Sequence, residues 1–275
     1  MIFDNFFDQC QVETTDFDKQ FASSRPDWLL LKDKYEKVNL SNNGTIPKII
    51  HFMWIGSDLP KIYDENIKDW KNKNPNFEVV VWDDKAVNEF LQGRKLEQIF
   101  HSSNNMGIKS DVARYEILKQ YGGLYLDTDF ICLSSEFEFI HDNLSFYSCC
   151  SFEKKLNIFN GMLAAEPNHP IINLCIENCD LSRCQSIACE STRVLYQTGP
   201  YLFTRCIVTY LYNTHRDNEV VFPAQYFYPF PATMRHDRSQ EVVEKFIKPH
   251  SLACHLWHCS WQPDSMFYKG GQNDN

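Results

Sequence analysis

GIKSDVARYEILKQYGGLYLDTDFI, residues 107–131, is the stretch whose reading decides the fold. Ile108, Val112, Tyr115 and Leu118 recur at helical spacing. Gly122 and Gly123 follow, where a helix C-cap takes a left-handed backbone. Leu124-Tyr125-Leu126 is a short β-compatible run that delivers Asp127 and Asp129. Side chains two apart on a strand point the same way, so Asp127-Thr128-Asp129 is expected to present two carboxylates on one side of a strand end. Hard cations such as Mg²⁺ or Mn²⁺ take oxygen ligands, and they commonly share one or two carboxylates with a ligand's phosphates. A D-x-D alone is weak, and its bland reading is a solvated acidic turn. Upstream, Asp111 and Arg114 share a helix face by their spacing of three. Alone that pair reads as a surface ion pair. The two features together favour metal–diphosphate binding.

Working outward, PKIIHFMWIG (residues 47–56) is nearly continuous in apolar residues and reads as a central parallel strand covered on both faces. A helix is predicted over 61–73, closed by Asn74-Pro75, then a strand, FEVVVW, over 77–82. Asp83 is placed to cap a helix running to Leu91. A further helix is predicted over 95–103. This alternation argues for an α/β sheet with right-handed crossovers, in which ligands bind at the carboxyl ends of the strands. Trp54 and the Asp127/Asp129 pair fall at such ends.

Beyond Asp129, strands are predicted over 145–152 and 157–165. Asn160-Gly161 interrupts the second, a sign of close backbone approach. His169-Pro170 opens a helix to about Cys179, and 190–212 reads as helical material broken at Gly199-Pro200. Val220–Phe222 and Gln225–Tyr228 read as short extended pieces. Leu252–Trp257 reads as a last strand, with His255 and Trp257 on one face. Residues 1–45 read as an N-terminal appendage with a short helix-compatible run at Trp28, residues 46–268 as the main domain, and 269–275 as a disordered tail.

The bulk composition bounds the function. A chain of 275 residues with 43% hydrophobic content supports a sizeable core. Its net charge of −9 lacks the basic footprint of a nucleic-acid binder and disfavours unaided adhesion to anionic membranes. No apolar run approaches the ~20 residues of a membrane span, and the acidic start is no signal peptide. Eleven cysteines, an odd number, point to free thiols in a reducing compartment, hence a cytoplasmic location. Cys175, Cys179, Cys184 and Cys189 fit no familiar zinc spacing.

Near the C-terminus, LACHLWHCSW (residues 252–261) offers His255, Ser260 and Trp261. A lone histidine is usually structural, but an imidazole beside two aspartates is an acceptable third ligand for Mn²⁺. Serine and tryptophan supply neutral donors for a phosphate oxygen.

These pieces, in this order, resemble one family. Ile46–His51 with Trp54-Ile55-Gly56, Ser110-Asp111 with Arg114-Tyr115, Gly122–Asp129, Asn160-Gly161, His169-Pro170, Thr198-Gly199-Pro200, His255 and Ser260-Trp261 look like the retaining glycosyltransferases of the DXD sugar-binding-region class, glycosyltransferase family 32. The resemblance spans roughly 46–261. It implies a GT-A fold, a Rossmann-like nucleotide-diphospho-sugar transferase fold with a mixed central sheet. It implies that Trp54 stacks on the donor's base and that Asp111 and Arg114 hold sugar hydroxyls. Asp127 would contact ribose or sugar, Asp129 and His255 would bind the metal, and Ser260 and Trp261 would touch the diphosphate. Asn160 and Gly161 would line the sugar or acceptor side. The implied partners are Mn²⁺ or Mg²⁺, a UDP- or GDP-sugar, and a glycan, lipid or protein hydroxyl, as in polysaccharide biosynthesis. Two other readings stay open on the residues alone: a non-catalytic sugar-nucleotide or glycan binding module, and a two-carboxylate glycoside hydrolase, which needs its carboxyls ~5–10 Å apart.

Overall fold

The computed structural model describes residues 6–10, 24–41, 43–152 and 156–259. After a short helix α1 (Phe6–Gln9), helix α2 (Pro26–Glu36) turns Trp28, Leu31 and Tyr35 inward, at helical spacing, into the same hydrophobic core as the sheet. The Tyr35 hydroxyl donates to Gln9 (2.9 Å) and lies 3.0 Å from the Tyr226 hydroxyl.

Strand β1 (Ile49–Met53) is the inner strand predicted, and it pairs in parallel with β2 (Glu78–Trp82). Between them α3 (Lys61–Lys73) buries Tyr63, Ile67 and Trp70, one side of the helix. Asp83 caps α4 (Asp84–Leu91), its carboxylate accepting from Ala86 N at 2.8 Å. Helix α5 (Glu97–Ser102) leads to α6 (Met106–Tyr121), which starts where the Asn105 side chain accepts from Gly107 N and Ile108 N. It ends at Gly122 (φ 63°), as the glycine pair foretold. All residues from Asp111 to Leu118 are buried, so α6 is a core helix rather than an amphipathic one.

Strand β3 (Gly123–Leu126) pairs in parallel with β1. Gly123 sits at φ 92°, and a Cβ there would lie 2.6 Å from Ile49 O, so only glycine lets β3 close on β1. Strand β4 (Phe130–Cys132) leaves this sheet, and α7 (Phe137–Asn143) leads to the antiparallel pair β5 (Phe146–Phe152) and β6 (Leu156–Ala165). Helices α8 (Pro170–Asn178), α9 (Glu190–Gln197) and α10 (Pro200–Leu211) follow, the last two separated at Gly199 as predicted. Strand β7 (Glu219–Phe222), α11 (Gln240–Glu244) and β8 (Ala253–His255) complete the order. The main sheet runs β2-β1-β3-β6-β5-β7, with parallel and antiparallel pairs, and β4-β8 form a second small sheet. This is the expected α/β class with a mixed central sheet.

Three local expectations are corrected. Asp127-Thr128-Asp129 is not on the strand; it forms a turn closed by Phe130 N donating to Asp127 O at 3.2 Å. Gln225–Tyr228 is not extended: Ala224–Tyr226 forms a 3₁₀ turn, with Tyr226 N donating to Pro223 O, and Tyr228 N donates back to Ala224 O. The last strand stops at His255, since Trp257 adopts φ 56°, which ends the alternation with His255. No helix among the described residues is long and apolar enough to cross a membrane. The predicted tail over 269–275 lies outside the described residues.

Candidate active site

A cavity of about 400 Å³ opens at the carboxyl ends of β1 and β3. Trp54 reaches it from β1, Asp111 and Arg114 from α6, Asp127 and Asp129 from the turn after β3, Asn160 and Gly161 from β6, and His255 from β8.

The buried core of the site is Arg114. Its guanidinium donates to Asn160 O, to Ser110 O (3.1 Å) and to Ser110 Oγ (3.0 Å). It lies 3.5 Å from Asp111 Oδ1 and 3.4 Å from Asp127 Oδ1, and its Cζ stands 4.4 Å from the centre of the Tyr125 ring. Arg114 and Asp111 are only 4% and 5% exposed, which overturns the surface-pair reading. Burial works against the charge on Arg114, but Tyr125, Asp127 and Asp111 hold it above its ordinary pKa. Asp111 also accepts from Asn160 Nδ2 (2.7 Å) and Thr198 Oγ1 (2.8 Å). Burial pushes Asp111 up to about 6, against the pull of Arg114, Thr198 and Asn160.

Asn160-Gly161 earns its place through a bulge. The pairing of β5 with β6 slips from Ser148↔Leu163 to Cys149↔Phe159, leaving 160–162 without β5 partners and Asn160 and Gly161 at the cavity. Gly161 O accepts from Asp127 N at 2.8 Å, and a Cβ on Gly161 would stand 2.6 Å from Asp127 Oδ2. The close approach expected from the glycine is therefore to the first aspartate. Tyr125 OH donates to Asp127 Oδ1 at 3.2 Å. Burial raises the pKa of Asp127, with Arg114 opposing.

Asp129 and His255 meet because β4 and β8 pair with Phe130 opposite His255. His255 Nε2 lies 2.9 Å from Asp129 Oδ1, and His258 N donates to Asp129 Oδ2 at 2.8 Å. Burial would raise Asp129, but His255 and then His258 hold it below the usual carboxylate range. Its second oxygen accepts from the His258 backbone N–H, and the His258 imidazole adds to the pull on the carboxylate. Ligand atoms of Asp127, Asp129 and His255 all lie within 4.8 Å of one another. His255 Nδ1 is buried without a hydrogen-bond partner. Two carboxylates and an imidazole at this spacing, with one buried nitrogen unpaired, fit a hard or borderline divalent cation. Among the described residues no other histidine, cysteine, aspartate and glutamate group converges this way, the four clustered cysteines included.

Trp54 is half-buried at the cavity wall, its Nε1 donating to Ser57 Oγ and Asp58 O (both 3.1 Å), its ring 4.8 Å from that of Tyr63. Ser260 and Trp261 lie outside the described residues. Sequence reasoning missed Tyr63, whose hydroxyl bonds His258 Nδ1 at 2.7 Å, and Tyr228. It singled out Thr198 without a role; the structure shows it holding Asp111.

Comparison with known proteins finds the following similarities. Residues 60–147 match the family described as "Glycosyltransferase sugar-binding region containing DXD motif". An uncharacterized glycosyltransferase of Acanthamoeba polyphaga mimivirus is 28% identical over 195 residues, 67% of this chain and 73% of that protein. Inositol phosphoceramide mannosyltransferase 3 of Schizosaccharomyces pombe is 29% identical over 185 residues, 66% of this chain, so the chain spans 50% of that relative's length. Among solved structures, PaToxG glycosyltransferase is 20% identical, with a TM-score of 0.49 over 67% of this chain and 79% of its own. With its D-x-D in the matched region and its similarity to glycosyltransferases along two thirds of its length, the chain is similar to the DXD-containing glycosyltransferases.

Proposed function

We propose that this chain transfers a hexose from a nucleoside diphosphate sugar to a hydroxyl acceptor, with a divalent cation and with retention of configuration. The observation that carries the reading is the convergence of Asp127, Asp129 and His255, from two distant parts of the chain, at one end of the cavity. Ligand atoms so close suit one shared ion better than carboxyls flanking a sugar ring. Mn²⁺ or Mg²⁺ held there supplies a Lewis acid against which a diphosphate's charge is neutralised. The chain's own groups do the positioning. Asp129, held ionised, anchors that end. Asp111, Arg114 and Asn160 form one buried network that fixes the wall where the donor sugar would lie. Trp54 offers an aromatic face for the base. The S. pombe relative is by name a mannosyltransferase, which favours a hexose. No side chain stands out as a covalent nucleophile, so attack of the acceptor hydroxyl on the same face is the preferred route to retention.

The test is release of nucleoside diphosphate from a panel of UDP- and GDP-hexoses. Turnover that requires Mn²⁺ and is abolished by Asp129→Asn is expected. Turnover that survives chelator, or Asp129→Asn within a few-fold of the parent, would overturn the reading.

A further inference from the structure

One polar group at the cavity belongs to none of these networks. Tyr228 lines the cavity and is 2% exposed, yet its hydroxyl has no hydrogen-bond partner. A buried hydroxyl without a partner is costly, and such groups concentrate where something is missing from the structure. The ring is not free to seek a partner elsewhere. It packs among Phe130 (5.2 Å between centroids), Phe159 (5.1 Å), His255 (5.4 Å) and Trp257 (5.4 Å). The 3₁₀ turn that stands where an extended piece was expected sets its backbone, Tyr228 N donating to Ala224 O at 2.7 Å. The position of the hydroxyl is marked by Gly161: a Cβ there would be 3.4 Å from Tyr228 OH and 2.6 Å from Asp127 Oδ2. The hydroxyl therefore sits across one glycine from the first aspartate, and its ring packs against the imidazole of His255.

We propose that Tyr228 is a ligand-contacting residue whose hydroxyl donates a hydrogen bond to a phosphate oxygen of the bound nucleoside diphosphate sugar. The inference rests on the nucleotide-sugar reading above. A neutral phenol is a donor, and the groups already around it are carboxylates that a cation would occupy. The acceptors that such a cation draws toward Asp127, Asp129 and His255 are phosphate oxygens. A donor fixed by packing beforehand loses little freedom on meeting one.

Tyr228→Phe removes the hydroxyl and keeps the ring. Calorimetric titration of UDP and of GDP, each with Mn²⁺, into the parent and the variant tests the assignment, alongside their melting temperatures without ligand. The expected result is a diphosphate affinity about tenfold or more weaker in the variant, the usual effect of losing one hydrogen bond to a charged group, with the ligand-free melting temperature unchanged or raised. Equal affinity within twofold would overturn the Tyr228 assignment alone. A lowered ligand-free melting temperature would also overturn it, because the hydroxyl would then be serving the fold. A parent that binds neither diphosphate with Mn²⁺ would overturn the nucleotide-sugar reading, and this inference with it.

Discussion

The buried imidazoles away from the cavity, His51, His141 and His169, differ in one respect from His255 at the cavity. At the base of the sheet, His51 has Gly122 O at 2.9 Å from Nε2 and receives Trp82 Nε1 at 3.2 Å on Nδ1. His141 is likewise occupied on both sides, by Pro47 O (2.9 Å) and Tyr147 OH (3.1 Å). At the cavity, His255 has one nitrogen against Asp129 and the other without a partner, and the neighbouring Tyr228 hydroxyl has none either. A closed polar network adds to stability and asks nothing of a ligand. An open one sacrifices stability to stay ready for one.

The comparison is broken most sharply by Asp129→Asn. It is expected to lower transfer about a thousandfold, as when a main electrostatic stabiliser is lost, while circular dichroism still shows a folded protein. His51→Leu is its mirror image. It strands Trp82 Nε1 and Gly122 O, so denaturant unfolding should show a loss of about 2–4 kcal/mol, with kcat/KM of the folded protein unchanged. Gly161→Ala falls between them. Its Cβ must push the Asp127 carboxylate aside, so we expect transfer reduced about 10–100-fold by loss of metal affinity, with little change in melting temperature.

The smallest effect concerns pH. Burial depresses His51 to about 4 and His141 to about 3. The unfolded chain takes up their protons near pH 6.5 and the folded protein does not, so stability is lost as pH falls from there through 4 toward 3. Asp111, raised to about 6, acts oppositely. Its contribution is full below its unfolded value near 3.8 and is lost as pH rises through 6. Asp111→Asn should therefore steepen the acid loss between pH 6 and 4, by at most about 1.4 kcal/mol per pH unit. Urea midpoints across that range check the sign.

Much of this was legible before any coordinates. The apolar run of β1, the glycine end of α6, the Asp83 cap and the break at Gly199 are local signals, and local physics decided them. Gly161 also spoke through its type, because close approach excludes a Cβ. The coiling at 224–226 and the left-handed Trp257 were not legible, since both depend on what packs around them. Asp127 and Asp129 were rightly paired for the wrong reason: a turn, rather than the strand's alternation, brings them together. Tyr228 gave no signal at all. An unpaired hydroxyl is a property of its surroundings, and no spacing in the chain encodes it.

The proposed cation site is tested most directly by crystals soaked with Mn²⁺ and a nucleoside diphosphate and measured at the manganese edge. One anomalous peak about 2.2 Å from a carboxylate oxygen of Asp129, with the diphosphate against it and His255 at its side, is the result predicted. A diphosphate in the cavity with no manganese at Asp127, Asp129 and His255, or manganese bound elsewhere, would contradict it.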